Sequence, residues 1–109
     1  MNSTQLKLLS KMKNLISNGQ RRFEGRKDRD YLEDLLEIGI TPEEAWKVIL
    51  ELNKNFYFPD PKPNYLVEGE SLTFKREING VLAYIKIKID NNREDEVVCL
   101  SFHKDKKRR

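Results

Sequence analysis

Apolar residues in the first half of the chain recur every three or four positions, which is the spacing of an amphipathic helix. One such stripe predicts a helix over residues 4–17, and the following Asn18-Gly19 pair predicts its end, because glycine readily adopts the left-handed conformation of a helix stop. A second stripe predicts a helix that starts after Asp30 and ends at Gly39.

The third predicted helix has the clearest start signal in the sequence. Thr41 supplies an N-cap hydroxyl, Pro42 stands where a missing N–H costs nothing, and Glu44 can complete a capping box. The residues that this helix and its end should bury are apolar: Ala45, Trp46, Ile49, Leu50 and Leu52. Prolines at every second position from Pro59 to Pro63 then exclude a helix or a central strand and predict a surface crossing.

After residue 69 the apolar positions alternate with polar ones, as in β-strands with one buried face. Strands are predicted over 72–78, 81–89 and 97–102, and the Asn79-Gly80 pair predicts a tight hairpin between the first two. Helices followed by strands, without βαβ alternation, predict an α+β fold. In this fold three helices cover one face of a three-stranded antiparallel sheet.

The alternation assigns each strand residue to one of two faces. The inner face, which should contact the helices, takes Val81, Ala83, Ile85, Ile87, Ile89, Val98, Leu100 and Phe102. The outer face takes Thr73, Lys75, Glu77, Leu82, Tyr84, Lys86, Lys88, Val97, Cys99, Ser101 and His103. Several lysines, a tyrosine and the only histidine of the chain are therefore expected on one open surface.

These outer-face side chains suit the chemistry of RNA cleavage. That reaction needs a base for the 2′-hydroxyl proton, an acid for the departing 5′-oxygen, and cations for the charge that grows on the phosphate. Tyr84, Lys86 and His103 can supply all three. The alternative is an ordinary solvated surface, because antiparallel sheets commonly expose a polar face and lysines discourage edge pairing.

Charge is unevenly distributed along the chain. The net charge is only +3, but residues 1–29 hold eight Lys and Arg against two acids, whereas residues 30–61 hold two against eight. A basic tail at residues 103–109 adds five cationic side chains against one acid. Basic ends of this kind can bind phosphates through counterion release, although a tail kept for solubility has the same composition.

Composition excludes several functional classes. The chain of 109 residues corresponds to a single domain over 1–109, with a core too small for a deep, enclosed site. The single cysteine cannot form an intrachain disulfide, which fits a reducing cytoplasm. One cysteine and one histidine are too few ligands for a conventional zinc site. No stretch approaches the roughly 20 apolar residues that span a bilayer, so no membrane association is expected.

Short motifs are distributed over nearly the whole chain: KNLISNGQ at 13–20, EIGI at 37–40, VIL at 48–50, NFY at 55–57, EING at 77–80, YIKI at 84–87 and VCLSF at 98–102. In order and spacing they resemble the MqsR-type toxins of bacterial toxin–antitoxin pairs. The resemblance implies a RelE/YoeB-like fold and a metal-independent endoribonuclease that cuts mRNA without a cofactor. It also implies a cognate antitoxin that inhibits the enzyme, and growth arrest when the toxin is free.

The resemblance also implies roles for particular residues. The catalytic tyrosine of the family falls on Tyr84, and the lysine two places later falls on Lys86. A lysine that follows the terminal Ser-Phe in the family is replaced by His103, with Lys104 next to it. The replacement keeps a group that can transfer a proton.

Two positions depart from the family pattern. A lysine expected after the Phe-Tyr motif is Phe58, and a glutamine expected early in the first strand is Thr73; Lys62 and Lys75 are the candidates to compensate. The residues expected to bind RNA are Lys62, Thr73, Lys75, Lys88, Lys104, Lys106, Lys107 and Arg108.

Two other functions stay open on the sequence alone. A noncatalytic module that binds nucleic acid or an antitoxin would need only the basic ends of the chain. A protein-binding regulator would instead use the acidic second and third helices.

Overall fold

The computed structural model describes residues 1–24, 30–59, 71–92 and 94–105. The helices are α1 (Ser3–Ser17), α2 (Tyr31–Ile38) and α3 (Pro42–Leu50), and the strands are β1 (Arg21–Phe23), β2 (Ser71–Ile78), β3 (Val81–Asp90) and β4 (Glu96–Lys104). A short 3₁₀ turn, Lys54–Phe56, follows α3. Three helices with one sheet confirm the predicted α+β class.

Local sequence signals set the ends of the helices as predicted. The Thr41 hydroxyl accepts a hydrogen bond from the Glu44 N–H at 3.1 Å, and the Glu44 carboxylate accepts one from the Thr41 N–H at 2.9 Å. Gly39 ends α2 with a φ of +89°, and Gly19 follows α1 with a φ of +82°. Sequence reasoning missed the cap at Asn2, whose side chain accepts from the N–H of residue 5 at the start of α1.

The strands follow the order β1-β4-β3-β2. β2, β3 and β4 form the predicted antiparallel meander, and positive φ values at Asn79 and Gly80 confirm the tight turn between β2 and β3. The amide of Asn79 also donates to the carbonyl oxygen of Ile38 at 3.0 Å, which ties the hairpin to the end of α2.

The prediction of only three strands is wrong, because β1 pairs in parallel with β4 at one edge of the sheet. The strand consists of Arg21, Arg22 and Phe23, which show no apolar alternation. Its anchor is the Phe23 ring, which stacks on Tyr31 with centroids 4.4 Å apart and lies 4.8 Å from Trp46. Tertiary packing, rather than a local pattern, holds this strand in place.

The core lies between the helices and the inner face of the sheet. The helices contribute buried side chains that include Leu9, Met12, Ile16, Leu35, Ile38, Trp46 and Ile49, and the sheet contributes Leu72, Phe74, Ala83, Ile85, Ile87 and Phe102. Leu52 is buried as predicted but lies beyond the end of α3, and Leu50 is only half-buried. Within the described ranges, no helix is long and apolar enough to cross a membrane.

A bulge interrupts the pairing of β3 with β4. Lys86 is in register with Ser101, but the next residue, Ile87, is in register with Cys99. Leu100 is therefore an extra residue on β4, and the side chains before and after it exchange faces.

The bulge overturns part of the predicted face assignment. Strict alternation places Val98 and Leu100 on the inner face and Val97 and Cys99 on the outer face. Instead Val97 and Cys99 belong to the core, Val98 lies on the outer face, and Leu100 is the bulged residue. Phe102 lies after the bulge and is buried against the helices as predicted.

Several predicted features lie outside the described residues. These are Pro61 and Pro63 of the surface crossing and the candidate RNA-binding residues Lys62, Lys106, Lys107 and Arg108. β4 extends two residues beyond the predicted strand end at Phe102, so His103 and Lys104, at the start of the predicted basic tail, pair with β3.

Candidate functional site

Three polar side chains form a row across the outer face. Lys75 on β2 is in register with Tyr84 on β3, and Tyr84 is in register with His103 on β4. Neighbouring strands lie about 4.8 Å apart, so this outer-face row of Lys75, Tyr84 and His103 extends over roughly 10 Å. The structure thus brings a cation, a phenol and an imidazole together on one surface.

Two contacts orient the imidazole of His103. Its ring stacks on Tyr84 with centroids 5.3 Å apart and planes inclined by 18°. Its Nδ1 lies 2.7 Å from the carbonyl oxygen of Lys104. Because a carbonyl oxygen can only accept a hydrogen bond, Nδ1 carries the proton, and Nε2 holds the lone pair when the ring is neutral. That tautomer can act as a proton acceptor at Nε2.

The ammonium group of Lys75 is held between an aromatic ring and a carboxylate. It lies 3.9 Å from the centroid of the Phe58 ring and 2.8 Å from a carboxylate oxygen of Asp105. Phe58 is positioned by its N–H, which donates to the carbonyl oxygen of Thr73 at 3.0 Å. The side chains of Lys75 and Asp105 are only 17% and 14% exposed, so water screens this pair less than an ordinary surface ion pair.

Two of the predicted site residues are more buried than an open face would allow. Thr73 and Lys86 are in register with each other next to the outer-face row, and they are only 4% and 8% exposed. The expectation of an open surface is therefore wrong at these positions. The Lys86 side chain is therefore largely shielded from water, as is its neighbour Thr73.

The other predicted RNA-binding residues are divided between the two faces. Lys88 is half-buried on the outer face, where it is in register with Val98. Lys104 is exposed but in register with Ala83, which places it on the inner-face side of the sheet, away from His103. Of these two lysines, only Lys88 shares a face with the row.

Acidic residues dominate the opposite end of the outer face, where sequence reasoning predicted no contact. The Arg22 guanidinium lies 2.9 Å from Glu96 and 3.0 Å from Asp90. Burial alone would lower the pKa of Arg22, but the hydrogen bonds to Glu96 and Asp90 and the negative charges of Glu96 and Glu24 together raise it. A pocket of about 430 Å³ beside this cluster is lined by Gly19, Gln20, Asp90, Asn92, Glu94, Asp95 and Glu96. Carboxylates line this pocket, and they repel anions such as phosphate.

No metal-binding arrangement accompanies the row: among the described residues, no group of three or more His, Cys, Asp or Glu side chains could hold a metal ion. Comparisons with protein families, curated proteins and solved structures find no match for this chain.

Cys99 is expected to be chemically inert in the folded protein. Burial raises the pKa of its thiol to about 12, and the thiolate is the form that reacts with disulfide reagents. We expect labelling by an aromatic disulfide at pH 8 to be about 10²- to 10³-fold slower in the native protein than in guanidinium. Equal rates in the two conditions would contradict the placement of Cys99 in the core.

Proposed function

We propose that the chain is a ribonuclease that cleaves RNA on its outer face. The orientation of His103 carries this proposal, because the stack on Tyr84 and the bond to the Lys104 carbonyl leave Nε2 as the basic nitrogen. The resemblance of its motifs to MqsR-type toxins, which share a RelE/YoeB-like fold, extends the proposal. On that basis, the chain is the toxin of a cytoplasmic toxin–antitoxin pair, with mRNA as substrate and a cognate antitoxin as inhibitor.

The proposed reaction uses the 2′-hydroxyl of the RNA as nucleophile. His103 Nε2 takes the 2′-hydroxyl proton while the 2′-oxygen attacks phosphorus, and the bond from phosphorus to the 5′-oxygen breaks. The Tyr84 phenol donates a proton to the departing 5′-oxygen, so the products are a 2′,3′-cyclic phosphate and a 5′-hydroxyl. Lys86, two residues from Tyr84 on β3, offsets the charge that grows on the phosphate, and Lys75, in register with Tyr84 on β2, binds the RNA backbone beside it.

Lys75 can supply the positive charge that the family pattern has at the position of Phe58. The family places a lysine at that position, and here the Lys75 ammonium lies 3.9 Å from the Phe58 ring. A positive charge therefore lies next to the side chain that replaces the family's lysine. Lys62, the other candidate to compensate, lies outside the described residues.

The burial of Lys86 favours a second candidate function. This lysine is assigned to catalysis but is only 8% exposed, which suits a module that binds nucleic acid or an antitoxin without cleaving RNA. The two functions differ in one measurable property. The ribonuclease produces a 2′,3′-cyclic phosphate end, whereas the binding module retains RNA of unchanged length.

Growth arrest tests the proposal in cells. We expect production of the wild-type chain without a partner to arrest bacterial growth and to shorten cellular mRNA. The double variant Tyr84→Phe/His103→Ala should grow normally, because it lacks both proposed proton-transfer groups. The measurements are culture density and RNA length after induction, with folding checked by circular dichroism.

A matched control is Lys47→Ala. It removes an exposed cation from α3, a helix that contains no residue of the outer-face row. This variant should arrest growth like the wild type. Full arrest by the folded double variant would overturn the assignment of Tyr84 and His103.

A further inference from the structure

We infer that a phosphate group of the bound nucleic acid takes the place of the Asp105 carboxylate beside Lys75. The RNA strand must therefore displace this carboxylate to reach the Lys75 ammonium. This inference rests on the proposed function and names an additional contact of the same site. It concerns binding of the phosphodiester backbone rather than the cleavage step.

Both partners of the ion pair are held in place by other contacts. The Lys75 ammonium packs over the Phe58 ring, and the N–H of Asp105 donates to the carbonyl oxygen of Leu82 at 2.8 Å. The carboxylate, which carries one negative charge and accepts hydrogen bonds, lies 2.8 Å from the ammonium. A phosphodiester has the same charge and also presents acceptor oxygens, so it can form the same contact with Lys75.

The position of Asp105 places this contact beside the reacting groups. Asp105 follows His103 by two residues, and its N–H continues the pairing of β4 with β3. Residues two apart on an extended chain share a face and lie roughly 6.6 Å apart. A phosphate at the Asp105 carboxylate would therefore be next to the phosphate that is cleaved beside His103, on the same RNA strand.

A second lysine–aspartate pair in the protein provides a comparison. Lys11 and Asp95 lie 3.1 Å apart, but their side chains are 54% and 37% exposed. Water and salt screen such a pair strongly, whereas the Lys75–Asp105 pair is shielded from them. Removal of Asp105 therefore exposes a positioned cation on the outer face, and removal of Asp95 exposes a cation on α1, away from the row.

Asp105→Asn is expected to bind single-stranded nucleic acid more tightly than the wild type does. The probe is a 2′-O-methyl oligonucleotide, which lacks the attacking hydroxyl and so stays intact. One additional phosphate contact to a single strand steepens the dependence of log K on log salt by about 0.7, which corresponds to about fivefold higher affinity at 0.1 M salt. Fluorescence anisotropy over a series of salt concentrations measures both quantities.

Asp95→Asn is the matched control, because it makes the same change of charge and also frees a lysine. We expect its affinity to stay within about twofold of the wild type. The double variant Lys75→Gln/Asp105→Asn should lose the gain, and Asp105→Ser should reproduce it if the asparagine variant folds poorly.

The inference is overturned if Asp105→Asn and Asp105→Ser bind no more tightly than Asp95→Asn, or if the gain persists without Lys75. Absence of oligonucleotide binding by every variant also overturns it. These failures are distinct from failure of the proposed function, because RNA cleavage and growth arrest by the wild type are measured without any change at Asp105.

Discussion

His103→Ala is expected to lower the rate of RNA cleavage by about 10²- to 10⁴-fold, the usual effect of removing a general acid or base. The imidazole is oriented by Tyr84 and by the Lys104 carbonyl, so its loss removes the proton acceptor without removing a packed core residue. RNA affinity should change little, because the cations of the outer face remain. Single-turnover cleavage and oligonucleotide binding measure the two effects separately.

Controls for this variant come from the same strand. Lys104→Ala removes a cation on the other face and should cleave at nearly the wild-type rate. His103→Lys should retain activity with a pH profile moved to alkaline values, because a lysine must lose its proton at higher pH than a histidine to act as a base. Wild-type cleavage should survive EDTA. A wild-type rate for His103→Ala would show that the histidine is not the base.

Phe74→Ala is expected to lower the free energy of unfolding by about 3–5 kcal/mol. The Phe74 ring is fully buried, lies in the core against the helices, and makes an edge contact with Tyr57 at 6.0 Å between centroids. The change removes apolar contacts and leaves a cavity. Because small proteins are stable by only about 5–15 kcal/mol, this loss is a large share of the total. Urea unfolding followed by circular dichroism measures it.

Phe58→Ala is the matched control for the core substitution. Phe58 is half-buried and contacts Lys75 at the surface, so the same change should cost less than about half as much. Equal losses for the two variants would contradict the placement of Phe74 in the core.

Most of the fold follows from local signals in the sequence. The capping box at Thr41, the glycine stop at Gly39 and the turn at Asn79-Gly80 each use contacts within a few residues, and all three are present. The parallel strand β1 could not be predicted in this way. Its three residues contain two arginines, and its stability depends on Phe23, which packs against a helix that begins eight residues later.

The candidate site could be predicted only where a hairpin turn determines which strand residues lie opposite each other. The tight turn fixes the register of β2 with β3, so Lys75 and Tyr84 meet as alternation predicts. Tyr84 and His103 meet because both lie on the same side of the bulge. The burial of Lys86 and the pairing of Lys75 with Asp105 depend on tertiary contacts, which strand periodicity does not contain.

The bulge at Leu100 divides β4 into two lengths that are out of phase with each other. Val97 and Cys99 on one side contact the helices, and His103 on the other side reaches Tyr84. Loss of one residue here would turn one of these two sets of side chains toward the wrong surface. The number of residues between Cys99 and His103 therefore determines which face of the sheet each of them reaches.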